Sequence, residues 1–192
     1  MILKRLFDIC LAVVAIVVLA IPMLVIWFVS AYDTKSSGIF IQIRIGRYGK
    51  PFSLFKFQTI APQTRLISNL GNFLRNSRLD ELPQLINILK GDMSVVGPRP
   101  DLPGYYDKLT GEDRNILNLR PGLTSVAAIK YRNENAILAQ QENPLEYNDT
   151  VLFPDKVRMN LEYSKKISLS YDVVIIVATV IPFFRKYLND KV

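Results

Sequence analysis

Ser77-Arg-Leu-Asp-Glu-Leu-Pro-Gln-Leu-Ile-Asn-Ile-Leu-Lys-Gly-Asp-Met-Ser-Val-Val-Gly-Pro-Arg-Pro100 carries the punctuation from which the rest of the chain is read. Pro83 fits a helix only within its first turn, where its missing N–H would be unpaired anyway. That predicts a helix over 82–89 with Asp80 as N-cap, Glu81 and Leu82 following, and Pro83 third. Gly91 ends it, and Asp92 then has a turn role. Pro98, Pro100 and Pro103 force an extended loop, with Arg99 projecting from between two prolines.

The adjacent carboxylates Asp80 and Glu81 have two compatible readings. The structural one is a cap and a dipole complement, worth about 1 kcal/mol. The chemical one is a nucleophile beside a general base or metal ligand. Arg75 and Arg78 lie close in sequence, and a guanidinium fork suits phosphate oxygens.

Composition narrows the chemistry. The 192 residues carry 24 Lys and Arg against 17 Asp and Glu, a formal charge of +7. Such a balance suits anionic partners: nucleic acid, anionic lipid headgroups or phosphorylated substrates. There is no histidine, which excludes His-dependent triads and His-ligated metals. Cys10 is the sole cysteine, so no disulfide forms within one chain, as suits a reducing compartment. A metal would need oxygen ligands, and Mg²⁺ is the first candidate.

Lys4 and Arg5 precede an apolar run from Ile9 to Val29, long enough for a hydrocarbon core of about 30 Å. Pro22 favours a kink. Basic residues flank both ends, with Lys35, Arg44, Arg47 and Lys50 after the run. The positive-inside preference therefore draws both ends to one face. The expectation is a re-entrant membrane helix over 1–34, bent near Pro22; a straight span is the alternative.

The expected fold class for the remainder is α+β. A small β-hairpin and several short helices, some amphipathic and interfacial, form one compact cytoplasmic domain over 35–192. Ile39 to Ile45 alternates as a strand, Gly46 to Pro51 turns, and Phe52 to Phe57 returns. Helices are expected over 66–74, 112–119 and 155–165, with a turn over 144–147. Val173 to Phe184 is too short to span a bilayer and reads as a buried or interfacial helix. Arg132 reads as a strand-face charge.

Six motifs in order resemble the bacterial sugar transferase family, the monotopic polyprenyl-phosphate phosphoglycosyl transferases. They are Phe40-x-Gln-x-Arg44-x-Gly46 with Gly49-Lys-Pro-Phe52; Lys56-Phe-Gln-Thr59; Leu79-Asp-Glu-Leu-Pro-Gln-Leu85; Lys90-Gly-Asp-Met-Ser-Val-Val-Gly-Pro-Arg-Pro100; Arg120-Pro-Gly-Leu-Thr124; and Phe153-Pro-Asp-Lys-Val157. The resemblance implies transfer of a phosphosugar from a UDP-sugar to polyprenyl (undecaprenyl) phosphate, releasing UMP. It implies Asp80 as nucleophile, Glu81 as its assistant, and both carboxylates as ligands of Mg²⁺. It places Lys56, Arg75, Arg99 and Arg132 toward phosphate and nucleotide-sugar. It also implies a bacterial inner membrane location with the catalytic domain on the cytoplasmic face, anionic lipids as surroundings, and no nucleic-acid partner. A homo-oligomer is compatible with the sequence.

The chain departs from the family pattern in places. Ile21 stands where a serine usually precedes the helix-breaking proline, Gln58 replaces an arginine, and 59–71 is short. The competing classes are another membrane-anchored, Mg²⁺-dependent phosphate enzyme and a non-catalytic scaffold that binds anionic lipid.

Overall fold

The computed structural model describes residues 2–185. Met1 and residues 186–192, which the boundaries 1–34 and 35–192 include, lie outside the described residues. The chain opens with α1 (Ile2–Thr34), a continuous helix with Pro22 inside it. Pro22 deletes one ladder donor without interrupting the helix. An 18-residue window of α1 has mean hydropathy 3.3 and is only 6% buried, and by length and composition the helix can cross a membrane. Val17, Val18, Ile21 and Phe28 are all more than half exposed. So much bare apolar surface calls for an apolar surrounding.

The described residues fall into two compact units, 2–44 with 51–93 and 45–50 with 94–185. In the first, β1 (Ile39–Ile45) and β2 (Pro51–Phe57) form the expected hairpin. Next comes α2 (Asn69–Ser77), which starts three residues after the expected Leu66. The reason is local: Ile67 bridges Ile60 antiparallel, and the Ser68 hydroxyl accepts the Gly71 N–H at 2.9 Å as an N-cap.

The helix α3 (Gln84–Lys90) packs on α1 and β2. Ile88 and Met93 are fully buried there. Both ends of α1 bond to this unit. Arg5 donates to the Ile88 carbonyl at 2.7 Å and the Met93 carbonyl at 3.3 Å. Asp33 accepts from the Ser68 hydroxyl at 2.6 Å.

The second unit is built on β3 (Ser94–Val96) and β4 (Gly122–Thr124), a parallel pair with Ser94 opposite Gly122 and Val96 opposite Thr124. Then follow α4 (Val126–Lys130), α5 (Glu134–Ala139), α6 (Pro144–Tyr147), a π-helical turn, α7 (Phe153–Lys165) and α8 (Leu169–Val180). Ile45, Tyr106, Ile116, Leu117 and Val157 form its core, with Leu109, Phe153 and Leu161 packed against them. Ile175 and Ala178 of α8 are fully buried, and α8 packs on β3 and β4.

Four expectations change here. The helix over 112–119 is wound as a 3₁₀ helix, Gly111–Asn118, and the turn over 144–147 is helical. The last apolar segment starts at Leu169 because Ser168 caps it, and stops at Val180 before Pro182. Arg132 lies in the turn between α4 and α5, not on a strand, because α4 ends at Lys130.

Candidate active site

The first unit gathers Lys56, Arg78, Asp80 and Glu81. The carboxylates sit on a separate 3₁₀ turn, Leu79–Glu81, between α2 and α3. Arg78 ends α2 in the left-handed region, at φ 63°. A non-glycine residue there costs of order 1 kcal/mol or more. The sharp reversal delivers Asp80 and Glu81 inward, and they are 7% and 6% exposed.

Asp80 does not cap α3 as its spacing suggests. Pro83 holds the N-cap position, with no side-chain cap. Instead Asp80 Oδ1 is buried without a hydrogen-bond partner. Lys56, on β2, places Nζ 3.0 Å from Glu81 Oε1 and 4.0 Å from Asp80 Oδ2. Arg78 Nη1 stands 3.5 Å from Glu81 Oε1.

These neighbours set the electrostatics. Burial pushes the Asp80 carboxyl up from its ordinary value. Lys56 pulls it back, Glu81 adds to the rise, and Arg75 and Arg78 oppose it; the net direction is upward. Arg75 is an exposed residue of the last turn of α2 and acts on Asp80 through its charge. A buried carboxylate with a raised pKa and one unsatisfied oxygen, in a basic surround, is a candidate nucleophile.

The donor set also suits Mg²⁺. Two adjacent carboxylates offer hard oxygen ligands, and the Asp80 Oδ1 atom has no protein partner. Among the described residues no group of three or more His, Cys, Asp or Glu gathers. Magnesium is commonly held in that way, by one or two carboxylates completed by water and substrate phosphates.

Arg99 and Arg132 belong to the second unit. Arg99 is half-buried between the buried Pro98 and Pro100. It lines a small concavity with Ile45, Tyr106, Leu117 and Pro121. Arg132 is exposed, and its turn is tied down by Asp155 of α7. That carboxylate accepts from Tyr131 Oη at 2.5 Å, Lys130 Nζ at 2.7 Å and Arg158 Nη2 at 2.8 Å.

Burial alone would raise the Asp155 pKa, but these donors outweigh it and hold the carboxyl well below its usual range. A depressed folded pKa gives stability that is present above the unfolded value, about 3.9, and fades as pH falls through the folded one. The unfolding midpoint of Asp155→Asn should therefore lie below that of the parent at pH 7. The gap should narrow on acidification below about pH 4. A gap that does not change with pH, followed by thermal unfolding, would contradict the assignment.

One contributor was read only in part from the sequence, and one escaped it. Arg78 was visible as a nearby charge, but its left-handed backbone has no signature in a non-glycine residue. Asn87 gave no signal at all: it is fully buried, and its amide reaches back to Ser53 and Phe55.

Comparison with known proteins bears on this geometry. The family model described as bacterial sugar transferase matches residues 1–186. The uncharacterized sugar transferase EpsL of Bacillus subtilis (strain 168) is 38% identical over 143 residues, covering 69% of this chain and 71% of that protein. The UDP-glucose:undecaprenyl-phosphate glucose-1-phosphate transferase of Klebsiella pneumoniae is 31% identical over 209 residues, covering 100% of this chain and 41% of that protein. The protein of the same name from Escherichia coli (strain K12) is 30% identical over 203 residues, covering 97% and 40%. The chain thus spans about two fifths of the length of these last two relatives.

Proposed function

The chain belongs to the bacterial sugar transferase family, and on that premise we propose that it transfers a sugar 1-phosphate from a UDP-sugar to undecaprenyl phosphate at the cytoplasmic face of the inner membrane. The observation that carries this reading is the buried pair Asp80–Glu81, with Lys56 and Arg78 against it and one oxygen of Asp80 unpartnered.

In the first half-reaction an Asp80 carboxylate oxygen attacks the sugar-linked phosphorus. The bond from that phosphorus to the bridging oxygen breaks, and the electron pair leaves with UMP. The product is an aspartyl phosphosugar. In the second half-reaction an oxygen of undecaprenyl phosphate attacks the same phosphorus. The acyl-phosphate bond breaks, restoring the carboxylate and giving the lipid diphosphate sugar. This is ping-pong order.

Phosphoryl transfer depends mainly on positioning and charge stabilisation. Lys56 fixes both carboxylates and tempers their mutual repulsion. Arg78 orients Glu81, and Arg75 adds positive potential toward Asp80. Asp80 and Glu81 would hold Mg²⁺, which when bound neutralises charge on the donor diphosphate. Arg99 keeps the phosphate assignment that its motif suggests, and Arg132 the nucleotide-sugar assignment that its region of the chain suggests.

The membrane element is read as re-entrant. Its support is that Arg5 and Asp33, at opposite ends of α1, both hydrogen-bond within one unit. About 42 Å of helix separates them at 1.5 Å per residue, and a straight span would put them on opposite faces. Accessibility tags placed before Lys4 and after Val192 should report the same side. Tags on opposite faces would end the re-entrant reading.

The functional test uses the full chain with a panel of UDP-sugars, undecaprenyl phosphate and Mg²⁺. Steady UMP release should require both the correct sugar donor and the lipid phosphate. Sustained hydrolysis without lipid would favour a phosphatase or nuclease. No turnover of any donor would favour the non-catalytic scaffold.

A further inference from the structure

Asn87 lies in α3, and none of the motif assignments gives it a role. It is fully buried. Its side-chain Oδ1 accepts the Phe55 N–H at 3.1 Å, and its Nδ2 donates to the Ser53 carbonyl at 2.7 Å. The same Nδ2 stands 3.3 Å from Asp92 Oδ2. Its backbone carbonyl accepts from Asp92 N at 3.0 Å and Met93 N at 3.2 Å, closing the turn after α3.

The pairing with β2 has the form of a strand partner. Residues 53 and 55 share a parity, so their N–H and C=O groups point to the same edge of β2. The primary amide offers one donor and one acceptor side by side, as a neighbouring strand would. A slip of β2 by one residue would turn both of these groups to the other edge and carry Lys56 to the opposite face. Only one register lets the amide bond to both. Lys56 follows directly after Phe55, and its Nζ meets Glu81 at 3.0 Å and Asp80 at 4.0 Å.

We propose that Asn87 is a positioning residue for phosphosugar transfer: by splinting β2 to α3 through Ser53 and Phe55, it sets where the Lys56 ammonium stands relative to Asp80 and Glu81. This rests on the reading of Asp80 as nucleophile. The substitution that tests it is Asn87→Asp, nearly the same in shape. It removes the donor to Ser53 and sets a carboxylate against that carbonyl and against Asp92.

The readout is the single-turnover rate of Asp80 modification by the UDP-sugar that best labels the parent protein, with no acceptor. Asn87→Asp should slow labelling at saturating donor by about tenfold or more, while the donor concentration at half-maximal rate moves by less than about threefold. Lys56→Met should also slow labelling. In the Lys56→Met background, Asn87→Asp should add less than about a twofold further loss, because residues acting through one group are not additive.

Multiplying losses in the double variant would show that Asn87 acts independently of Lys56 and would overturn the proposal. So would a parental rate in Asn87→Asp, or a parental rate in Lys56→Met. If Asn87→Asp does not fold, an amide-to-ester replacement at Phe55 deletes only the N–H given to Asn87, and the same outcomes apply to it. If the parent protein takes no label from any donor, the nucleophile reading falls and this inference falls with it. If the parent labels and Asn87→Asp labels equally well, only this inference falls.

Discussion

Asp80→Asn is expected to abolish phosphosugar transfer, lowering turnover on the order of 10³-fold or more, while leaving the protein at least as stable as the parent. The loss follows from chemistry. An amide oxygen at position 80 cannot form the acyl-phosphate bond, and no other residue of the 3₁₀ turn Leu79–Glu81 combines burial with an unpartnered oxygen.

The stability half follows from linkage. Burial raises the Asp80 pKa against the pull of Lys56. A folded pKa above the unfolded one gives stability that is fully present below the unfolded value and lost as pH rises through the folded value. At neutral pH the ionised side chain is therefore a cost to the fold, and a neutral isostere removes that cost. Thermal unfolding and UMP release measured on the same sample check both halves. A midpoint several degrees lower, with activity retained, would mean that Asp80 is structural.

Gly122→Ala is expected to be the most destabilising single methyl in the second unit, costing about 3 kcal/mol or more. A Cβ on Gly122 would lie 2.1 Å from the Gly97 nitrogen and 2.4 Å from the Gly97 carbonyl oxygen. Both obstacles are backbone, so no rotamer change relieves them. The crossing is also bonded: Gly122 N donates to the Pro98 carbonyl at 2.8 Å, and Gly97 N to the Thr124 carbonyl at 3.0 Å.

Pushing the strands apart would break those bonds and the β3–β4 pairing together. Gly97→Ala meets the Arg120 carbonyl at 2.3 Å and should behave alike. Chemical unfolding in detergent, compared with an exposed control such as Gly104→Ala, measures the cost. Gly104 has nothing within 4 Å, although its φ of +106° adds a backbone penalty to the control. A Gly122→Ala protein as stable as the parent would mean that the two strands do not approach this closely.

Those glycines also mark where the sequence could be read and where it could not. The Ile39 to Ile45 alternation announced a strand because period two is local. Helix α1 announced itself by length alone. The parallel pair β3–β4 stayed hidden because three residues per strand are too few for a period, and its partners are 28 residues apart along the chain. The backbone contact of Gly97 with Gly122 leaves no pattern in composition either.

At the site, adjacency made Asp80 and Glu81 conspicuous, and Pro83 correctly marked a helix start just beyond them. The cap expected at Asp80 did not form. The left-handed Arg78 inserts a 3₁₀ turn first and turns the carboxylate away from the α3 amides toward Lys56. Asn87 was invisible because its partners, Ser53 and Phe55, lie more than thirty residues upstream. Long-range hydrogen bonds leave no local signature, and they are what places β2, and with it Lys56, against the carboxylates.

In the proposed mechanism Asp80 carries the phosphosugar between donor and acceptor. Intact-protein mass spectrometry after incubation with a panel of UDP-sugars, without lipid acceptor, tests it most directly. The expected result is a mass increase of one sugar phosphate for at least one donor, mapped to Asp80, absent in Asp80→Asn, and discharged by undecaprenyl phosphate. An Asp80→Asn protein that still turns over, with no donor labelling the parent, would contradict it.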